Sequence, residues 1–207
     1  MSNLEFAKRP YWVLSNAKTI ASPILSLREY FNQRTYDLPV KSFLTKFLNG
    51  KIGRFVDVGC GLFPDTYWPN LDNVTLVDWG EKIASPSDKK IFADAGQLPF
   101  SKNTFLISLS KQVMNYVVDQ EALITEMSRV TKVDGYVIII GIEGIFESNA
   151  SVSEFNIEDI RGQMARHNIK PEETQTFYNL PNYEYAPGRF VNAKLTGVVG
   201  RKIKKKH

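Results

Sequence analysis

The stretch Phe55-Val56-Asp57-Val58-Gly59-Cys60-Gly61 decides the fold of this 207-residue chain. It begins as an apolar run and continues into an acid and two glycines, a pattern that predicts a buried strand feeding a tight loop. A central parallel strand is buried on both faces and is therefore nearly all apolar. Glycines just beyond its carboxyl end let the backbone approach a ligand in the crevice where open α/β sheets bind small molecules.

The composition is that of one ordinary globular domain, with 43% hydrophobic residues over 207 positions. A chain of this length buries a sizeable core, so we expect a single domain over residues 1–207. The formal net charge is +4, and the basic residues are spread through the chain except for a run at 201–206. Such a run is more typical of a solvated segment than of a nucleic-acid surface, and we expect no nucleic-acid partner.

The compartment follows from cysteine usage and hydropathy. Cys60 is the only cysteine, which excludes an intrachain disulfide and favours a reducing compartment. The longest apolar segment, Tyr136 to Ile142, is strand-sized, far below the ~20 residues of a membrane span. The first thirty residues contain charges and prolines and do not resemble a signal peptide. We therefore expect a cytoplasmic protein without a membrane span.

Helix signals surround the opening stretch. Residues 1–36 are rich in aromatic and basic side chains and are expected to form short helices that cap the core or cover a ligand. Pro39 at a first turn, apolar residues on one face and Gly50 as a C-terminal cap predict an amphipathic helix leading into the first strand. Pro64 and Pro69 predict that the next helix is short or distorted. Two further helices are expected, one beginning at Asp119-Gln120-Glu121 and one from about Ser153 to His167.

Short apolar runs between these helices predict six further strands: Val74–Val77, Lys90–Ala93, Phe105–Ser110, Tyr136–Ile142, Thr174–Tyr178 and about Val191–Ile203. Asp134-Gly135 is expected to form the turn before the fifth strand. Pro181, Pro187 and Gly188 are expected to lie in a loop. The polar alternation of the last strand suits a sheet edge. Seven strands with helices between the early ones indicate a doubly wound α/β sheet.

Three acids stand at or near the ends of successive strands: Asp57, Asp78 and Asp94. Because the carboxyl ends of parallel strands share one edge, these carboxylates and the Gly59/Gly61 loop are expected to line one crevice. Asp78 follows Gly59 by 19 positions, close to the ~20 residues between a glycine loop and a ribose-binding acid in nucleotide-binding folds. A carboxylate there would accept hydrogen bonds from two ribose hydroxyls.

The loop also discriminates between nucleotides. A dinucleotide site uses a third glycine for close packing of a helix whose N-terminus faces the pyrophosphate. That glycine is missing here, and Pro64 and Pro69 interfere with the helix. S-adenosylmethionine has a ribose, an adenine and an amino-acid tail but no phosphate, and nearby carboxylates favour its sulfonium. It is the better fit, with an NAD-dependent oxidoreductase as an alternative.

Four stretches, in order, resemble the successive motifs of class I S-adenosylmethionine-dependent methyltransferases: Asp57-Val58-Gly59-Cys60-Gly61, Leu76-Val77-Asp78, residues 93–100 and residues 126–135. The resemblance covers about residues 50–142. It implies a Rossmann-like seven-stranded sheet, mostly parallel with an antiparallel last strand. It also implies an N-terminal helical cap or lid at 1–36, a cofactor-binding core at 37–145 and a C-terminal helix with two strands at 146–207.

The resemblance assigns cofactor contacts residue by residue. The backbone at Gly59 and Gly61 lies beside the methionine part of S-adenosylmethionine. Asp78 binds the ribose hydroxyls, and Trp79 packs beside the adenine. Asp94 and Ala95 recognise the adenine edge, and Ser110 to Gln112 border the sulfonium. The full set expected at the cofactor is Asp57, Gly59, Cys60, Gly61, Asp78, Trp79, Asp94, Ala95, Ser110, Lys111 and Gln112.

The chain also departs from the family pattern at Phe63, Leu106, Tyr116 and Val133-Asp134. Tyr116 stands where a histidine is frequent, so no catalytic residue is assigned; Tyr116 and Glu143 are the candidates. The acceptor expected is a small molecule, such as a glycan or a secondary metabolite, with an RNA or protein acceptor as the alternative that the basic run favours. The motif typical of methylation of exocyclic amines on nucleic-acid bases is missing, which weighs against that reaction. A methyltransferase-like protein that binds cofactor or a partner without catalysis is the alternative. With only two histidines, no histidine-based metal cluster is expected.

Overall fold

The structure is a computed structural model that describes residues 37–61, 64–79, 90–143, 154–186 and 189–205. The helices expected within residues 1–36 lie outside this part. Three α-helices are described: α1 at residues 37–48, α2 at Gln120–Val130 and α3 at Ile157–Arg166, with a 3₁₀ turn at Pro64–Thr66. The strands are β1 Phe55–Val58, β2 Val74–Asp78, β3 Lys90–Phe92, β4 Phe105–Lys111, β5 Thr131–Glu143, β6 Ile169–Ala186 and β7 Arg189–Lys202.

The seven strands form one sheet in the order β3-β2-β1-β4-β5-β7-β6. Neighbouring strands from β3 to β5 are parallel, and β7 runs antiparallel to both β5 and β6. The expected doubly wound, Rossmann-like sheet with an antiparallel last strand is therefore confirmed. The strand order reverses between β1 and β4, and the carboxyl ends of the strands at such a point are where open α/β sheets bind ligands.

Two apolar layers hold the sheet, one on each face. Helices α2 and α3 cover one face through fully buried Leu123, Met127 and Ile160. On the other face Val40 and Leu44 of α1 pack with Trp68, which follows the 3₁₀ turn. All four residues of β1 are buried, as a strand between two layers requires.

Local signals explain where the helices begin and end. Gly50 follows α1 with φ +73°, the left-handed conformation that glycine adopts readily. The Asp119 carboxylate accepts a hydrogen bond from the Ala122 amide and caps α2. Asn156 caps α3 in the same way, so this helix begins at Ile157 and not near Ser153. The 3₁₀ turn is the short helix that the prolines predict.

The expectation that the last strand forms a sheet edge is wrong. β7 lies between β5 and β6, and β6 is the edge strand. The polar residues of β7 occupy different surroundings: the half-exposed Lys194 pairs with Glu143 on β5, whereas the Thr196 hydroxyl is buried and has no hydrogen-bond partner among the described residues. Alternating polar residues therefore do not by themselves mark a sheet edge.

Two boundaries also differ from expectation. β5 begins at Thr131, directly after α2, and Asp134 with φ +63° lies in a bulge of this strand and not in a turn before it. β6 continues through Pro181 to Ala186, so most of the expected loop is strand. An edge strand tolerates proline because one of its sides has no partner that needs the missing N–H.

No helix in the described ranges is both long and apolar enough to cross a bilayer.

Candidate functional site

The loop after β1 carries two glycines in left-handed conformation, Gly59 with φ +77° and Gly61 with φ +62°. Their surroundings differ. A Cβ on Gly59 would lie 2.2 Å from Cγ2 of Val113, whereas a Cβ on Gly61 would meet no atom of the described residues within 4 Å. Gly59 is therefore needed for packing against the segment after β4, and Gly61 borders open space that a ligand can fill.

Asp78, the last residue of β2, is bound to this loop. Its Oδ2 accepts a hydrogen bond of 2.9 Å from the Gly61 amide, and its Oδ1 accepts one of 2.8 Å from the Trp79 amide. The two bonds fix the carboxylate at the carboxyl edge of the sheet, beside the glycine loop. Trp79 is 38% exposed at the same edge.

The segment after β3 supplies the next part of this edge. Asp94 Oδ1 accepts a hydrogen bond of 2.8 Å from the Gly96 amide, and the Asp94 carbonyl accepts one from the Gln97 amide. Ala95 packs against the apolar core on the α2 side. The turn is therefore anchored on the sheet and on α2. β2 and β3 are neighbours, so Asp94 follows β3 beside the strand that ends in Asp78.

The end of β4 approaches the loop from the other side. Gln112 has φ +58° and its amide donates to the Ile140 carbonyl, which turns the chain so that Val113 meets Gly59. The Ser110 hydroxyl is buried and has no hydrogen-bond partner within the described structure. A buried hydroxyl without a partner is uncommon, and at a ligand-binding edge it is a candidate ligand contact.

Asp57 lies below the loop in the apolar core. Its Oδ2 accepts hydrogen bonds of 2.7 Å from the Tyr67 hydroxyl and from the Trp68 indole, while its Oδ1 has no partner within the described residues. Burial raises the pKa of Asp57 from its ordinary 3.8 to about 6, against the opposing effect of these bonds and of the Lys111 charge. The Tyr67 hydroxyl also lies 3.1 Å from the Cys60 carbonyl, so one side chain connects the buried acid with the loop.

Lys111 directs its ammonium group to the α1 side of the sheet. It forms a buried ion pair of 2.9 Å with Asp37 at the start of α1, and it lies 4.6 Å from the centre of the Tyr67 ring. Asp37 also accepts a hydrogen bond from the Thr66 hydroxyl. The ion pair connects the start of α1 to the carboxyl end of β4, which is a structural role in addition to the expected place beside the cofactor.

Cys60 is buried, and burial raises the pKa of its thiol, so the sulfur is a neutral group of the loop and not a nucleophile. Lys90 on β3 reaches the same loop: its ammonium lies 3.4 Å from the Gly61 carbonyl, and partial burial lowers its pKa. This lysine is a site residue that sequence reasoning missed. The signal for it is the charged first residue of an otherwise apolar strand.

The two candidate catalytic residues stand in different environments. Glu143 at the end of β5 accepts a hydrogen bond from the Ile157 amide at the start of α3 and forms an ion pair of 3.0 Å with Lys194. These contacts favour a structural role. Tyr116 follows β4, is 40% exposed and lies three residues beyond Val113. Of the two, Tyr116 is the better placed to meet a bound molecule.

Comparison with known proteins shows what this part of the chain is similar to. Residues 56–139 match a family described as methyltransferase domain. The match begins in β1, ends in β5 and contains the glycine loop, Asp78 and the β4 end. No curated protein matches the chain.

Solved structures share the fold at low identity. A possible histamine N-methyltransferase from Thermotoga maritima is 18% identical with a TM-score of 0.60, covering 87% of this chain and 96% of its own. A putative methyltransferase from Bacillus halodurans is 14% identical with a TM-score of 0.60, at 79% and 100% coverage. Geranyl diphosphate C-methyltransferase from Streptomyces coelicolor, solved with S-adenosyl-L-homocysteine, is 17% identical with a TM-score of 0.59, at 79% and 76% coverage.

The different surroundings of Gly59 and Gly61 give a first prediction. Gly59→Ala places a methyl group against Val113 in a strained backbone, so it should lower the free energy of unfolding by about 2 kcal/mol or more. The added methyl group of Gly61→Ala meets no atom in the described part of the chain, so only the φ strain of about 1 kcal/mol is expected. Because its methyl group enters the space assigned to the ligand, it should weaken S-adenosylmethionine binding at least tenfold, measured by calorimetry.

Gly50→Ala is the matched control, since Gly50 has φ +73° and no atom within 4 Å of the added Cβ but lies outside the site. It should show the same loss of stability as Gly61→Ala and unchanged cofactor affinity. Wild-type affinity in Gly61→Ala would show that this space is not the cofactor's.

The buried Asp57 predicts a pH dependence of stability. A folded-state pKa raised from 3.8 to about 6 favours the folded protein at low pH, and this contribution is lost as the pH rises through the folded pKa. Asp57→Asn keeps an oxygen acceptor and removes the titration. From about pH 4 to about pH 7, the unfolding free energy of the wild type should fall by about 2 kcal/mol relative to the variant, measured with urea. Parallel pH profiles would contradict the assigned burial cost.

Proposed function

We propose a small-molecule acceptor for this class I S-adenosylmethionine-dependent methyltransferase, with a glycan or a secondary metabolite as the acceptor class and the cytoplasm as its location. The observation that carries the proposal is the arrangement at the carboxyl edge of the sheet, where the space beside Gly61 adjoins the fixed Asp78 carboxylate. The buried ion pair between Asp37 and Lys111 holds α1 against the end of β4 at the same edge.

The described residues fit the cofactor on features of their own. Gly61 borders open space, Asp78 stands fixed beside it, and the Ser110 hydroxyl is buried without a partner in the described chain. We assign the methionine part to the glycine loop, the ribose hydroxyls to Asp78 and the adenine to the side of Trp79 and Asp94. Ser110 and Gln112 are assigned to the region of the sulfonium.

The bound cofactor supplies a methyl group that its sulfonium already activates, so the chain's own task is chiefly to position an acceptor and exclude water. The fixed parts of the edge suit that task. Asp78 is held by two backbone amides, and Val113 is packed on Gly59, so contacts within the chain fix the positions of these groups. Groups that are already fixed lower the entropy lost when two reactants are brought together.

A general base is needed only for an acceptor whose nucleophile carries a proton of high pKa. Tyr116 is the candidate for that role because it is partly exposed beyond the end of β4. Glu143 is assigned instead to holding α3 and β7 through Ile157 and Lys194.

The names of two proteins that share the fold support a small acceptor. Two of the proteins that share the fold carry small molecules in their names, histamine as a possible acceptor and geranyl diphosphate. One name specifies transfer to nitrogen and the other to carbon. The shared fold therefore supports a small acceptor and leaves the methylated atom open.

The test is methyl transfer from labelled S-adenosylmethionine with the purified protein and pools of small metabolites, glycans, RNA and protein. The label should enter the small-molecule or glycan pool. Asp78→Asn keeps an acceptor for the Gly61 amide but weakens charge-assisted bonds to the ribose, so it should lower kcat/KM about tenfold to a hundredfold.

Lys205→Ala is the control, because Lys205 is an exposed residue beyond β7, and it should transfer at the wild-type rate. Label found in RNA or protein alone would overturn the small-molecule proposal. Preferential binding of NADH over S-adenosylmethionine would overturn the cofactor assignment itself.

A further inference from the structure

The edge of the sheet opposite the cofactor is strongly basic. It consists of the residues before β1, β2 and β4 and those at the start of β5 and β6, together with the residues at and beyond the end of β7. We call it the basic edge, and its basic residues in the described structure are Lys51, Arg54, Lys102, Lys132, Lys170, Arg201, Lys202, Lys204 and Lys205.

Side-chain contacts show that these segments meet. Lys51 and Arg201 both lie over the Tyr136 ring, with their charged groups 5.4 and 5.2 Å from its centre, and Arg201 also donates to the Tyr136 hydroxyl. Lys202 donates to the Thr131 carbonyl and to Asn103. Basic side chains from residues up to 150 positions apart in the chain therefore share one continuous surface.

Few acids compensate this charge. Within the described residues the same edge holds four: Asp72, Asp134, Glu172 and Glu173. Nine basic residues against four acidic ones leave an excess of five, which exceeds the formal net charge of +4 for the entire chain. Burial and the neighbouring Arg129 charge lower the pKa of Lys202, so like charges already crowd there. An anionic partner would relieve this repulsion.

Two exposed aliphatic side chains stand among these cations. Ile52, between Lys51 and Arg54, is 95% exposed, and Ile203, next to Lys202, is 39% exposed. A phosphate backbone offers no binding energy to an aliphatic side chain, whereas a lipid surface binds apolar side chains and basic residues together.

We propose that the basic edge binds an anionic lipid surface, with Ile52 and Ile203 entering the headgroup region and the surrounding lysines and arginines contacting lipid phosphates. The carboxyl ends of the parallel strands then point away from the bilayer. The cofactor edge of the enzyme stays open to the aqueous side while the domain is held at the membrane. This binding is peripheral and independent of the proposed acceptor.

The experiment is sedimentation of the full chain with vesicles of phosphatidylcholine, with and without phosphatidylglycerol. Binding should require the anionic lipid and weaken as salt is added. The double variant Lys132→Ala/Lys204→Ala should lose affinity about twenty-fold, since each basic residue near an anionic surface contributes about fivefold. Ile52→Ser should weaken binding severalfold without changing the net charge.

Lys41→Ala/Arg161→Ala is the matched control. It removes the same charge from α1 and α3, outside the basic edge, and should bind vesicles like the wild type. Circular dichroism of each variant establishes that it is folded.

Three results would overturn the proposal: no binding to anionic vesicles, equal losses in both double variants, or full binding by Ile52→Ser. A single-stranded or duplex oligonucleotide is tested in parallel. Binding to the oligonucleotide that needs Lys132 and Lys204 but not Ile52, without vesicle binding, would assign the surface to nucleic acid.

Discussion

The buried carboxylate of Asp57 is the constraint on which the site depends. It lies in the central strand between two apolar layers, where an isolated charge is unfavourable, and it is tolerated because the Tyr67 hydroxyl and the Trp68 indole donate to it. Those donors fix the segment after the 3₁₀ turn against β1. Because Tyr67 also contacts the Cys60 carbonyl, the same acid holds the glycine loop in the shape that exposes Gly61.

A second buried charge pair extends this arrangement. Lys111 and Asp37 neutralise each other at the carboxyl end of β4, so α1 cannot shift without leaving a charge buried alone. The Asp78 contact with Gly61 and the packing of Val113 on Gly59 hold the loop directly, and the ion pair reaches it through the Tyr67 ring, since Lys111 packs on that ring and Tyr67 contacts Cys60. The glycine loop is therefore held in place by contacts within the chain.

The sequence predicts the sheet well where its signal is local. Apolar runs bounded by acids and glycines indicate β1, β2 and β4, and the prolines indicate the shortened helix. The prediction fails where the role of a residue depends on a contact with a residue far away in the sequence. The polar residues of β7 predict a sheet edge because nothing in the sequence shows that β6 pairs with this strand. The contact of Lys90 with Gly61 and the Asp37–Lys111 ion pair join residues from separate segments, so the sequence does not predict them. For the same reason, the sequence indicates only one part of the basic edge, the basic run at 201–206.

The central claim is that the glycine loop and Asp78 form the cofactor cradle of a methyltransferase. A crystal structure of the protein with S-adenosylhomocysteine tests it most directly. The account predicts ribose hydroxyls within hydrogen-bond distance of the Asp78 carboxylate and the amino-acid part of the ligand in the space beside Gly61. A ligand bound elsewhere, with no ligand atom in contact with the Asp78 carboxylate, would contradict it.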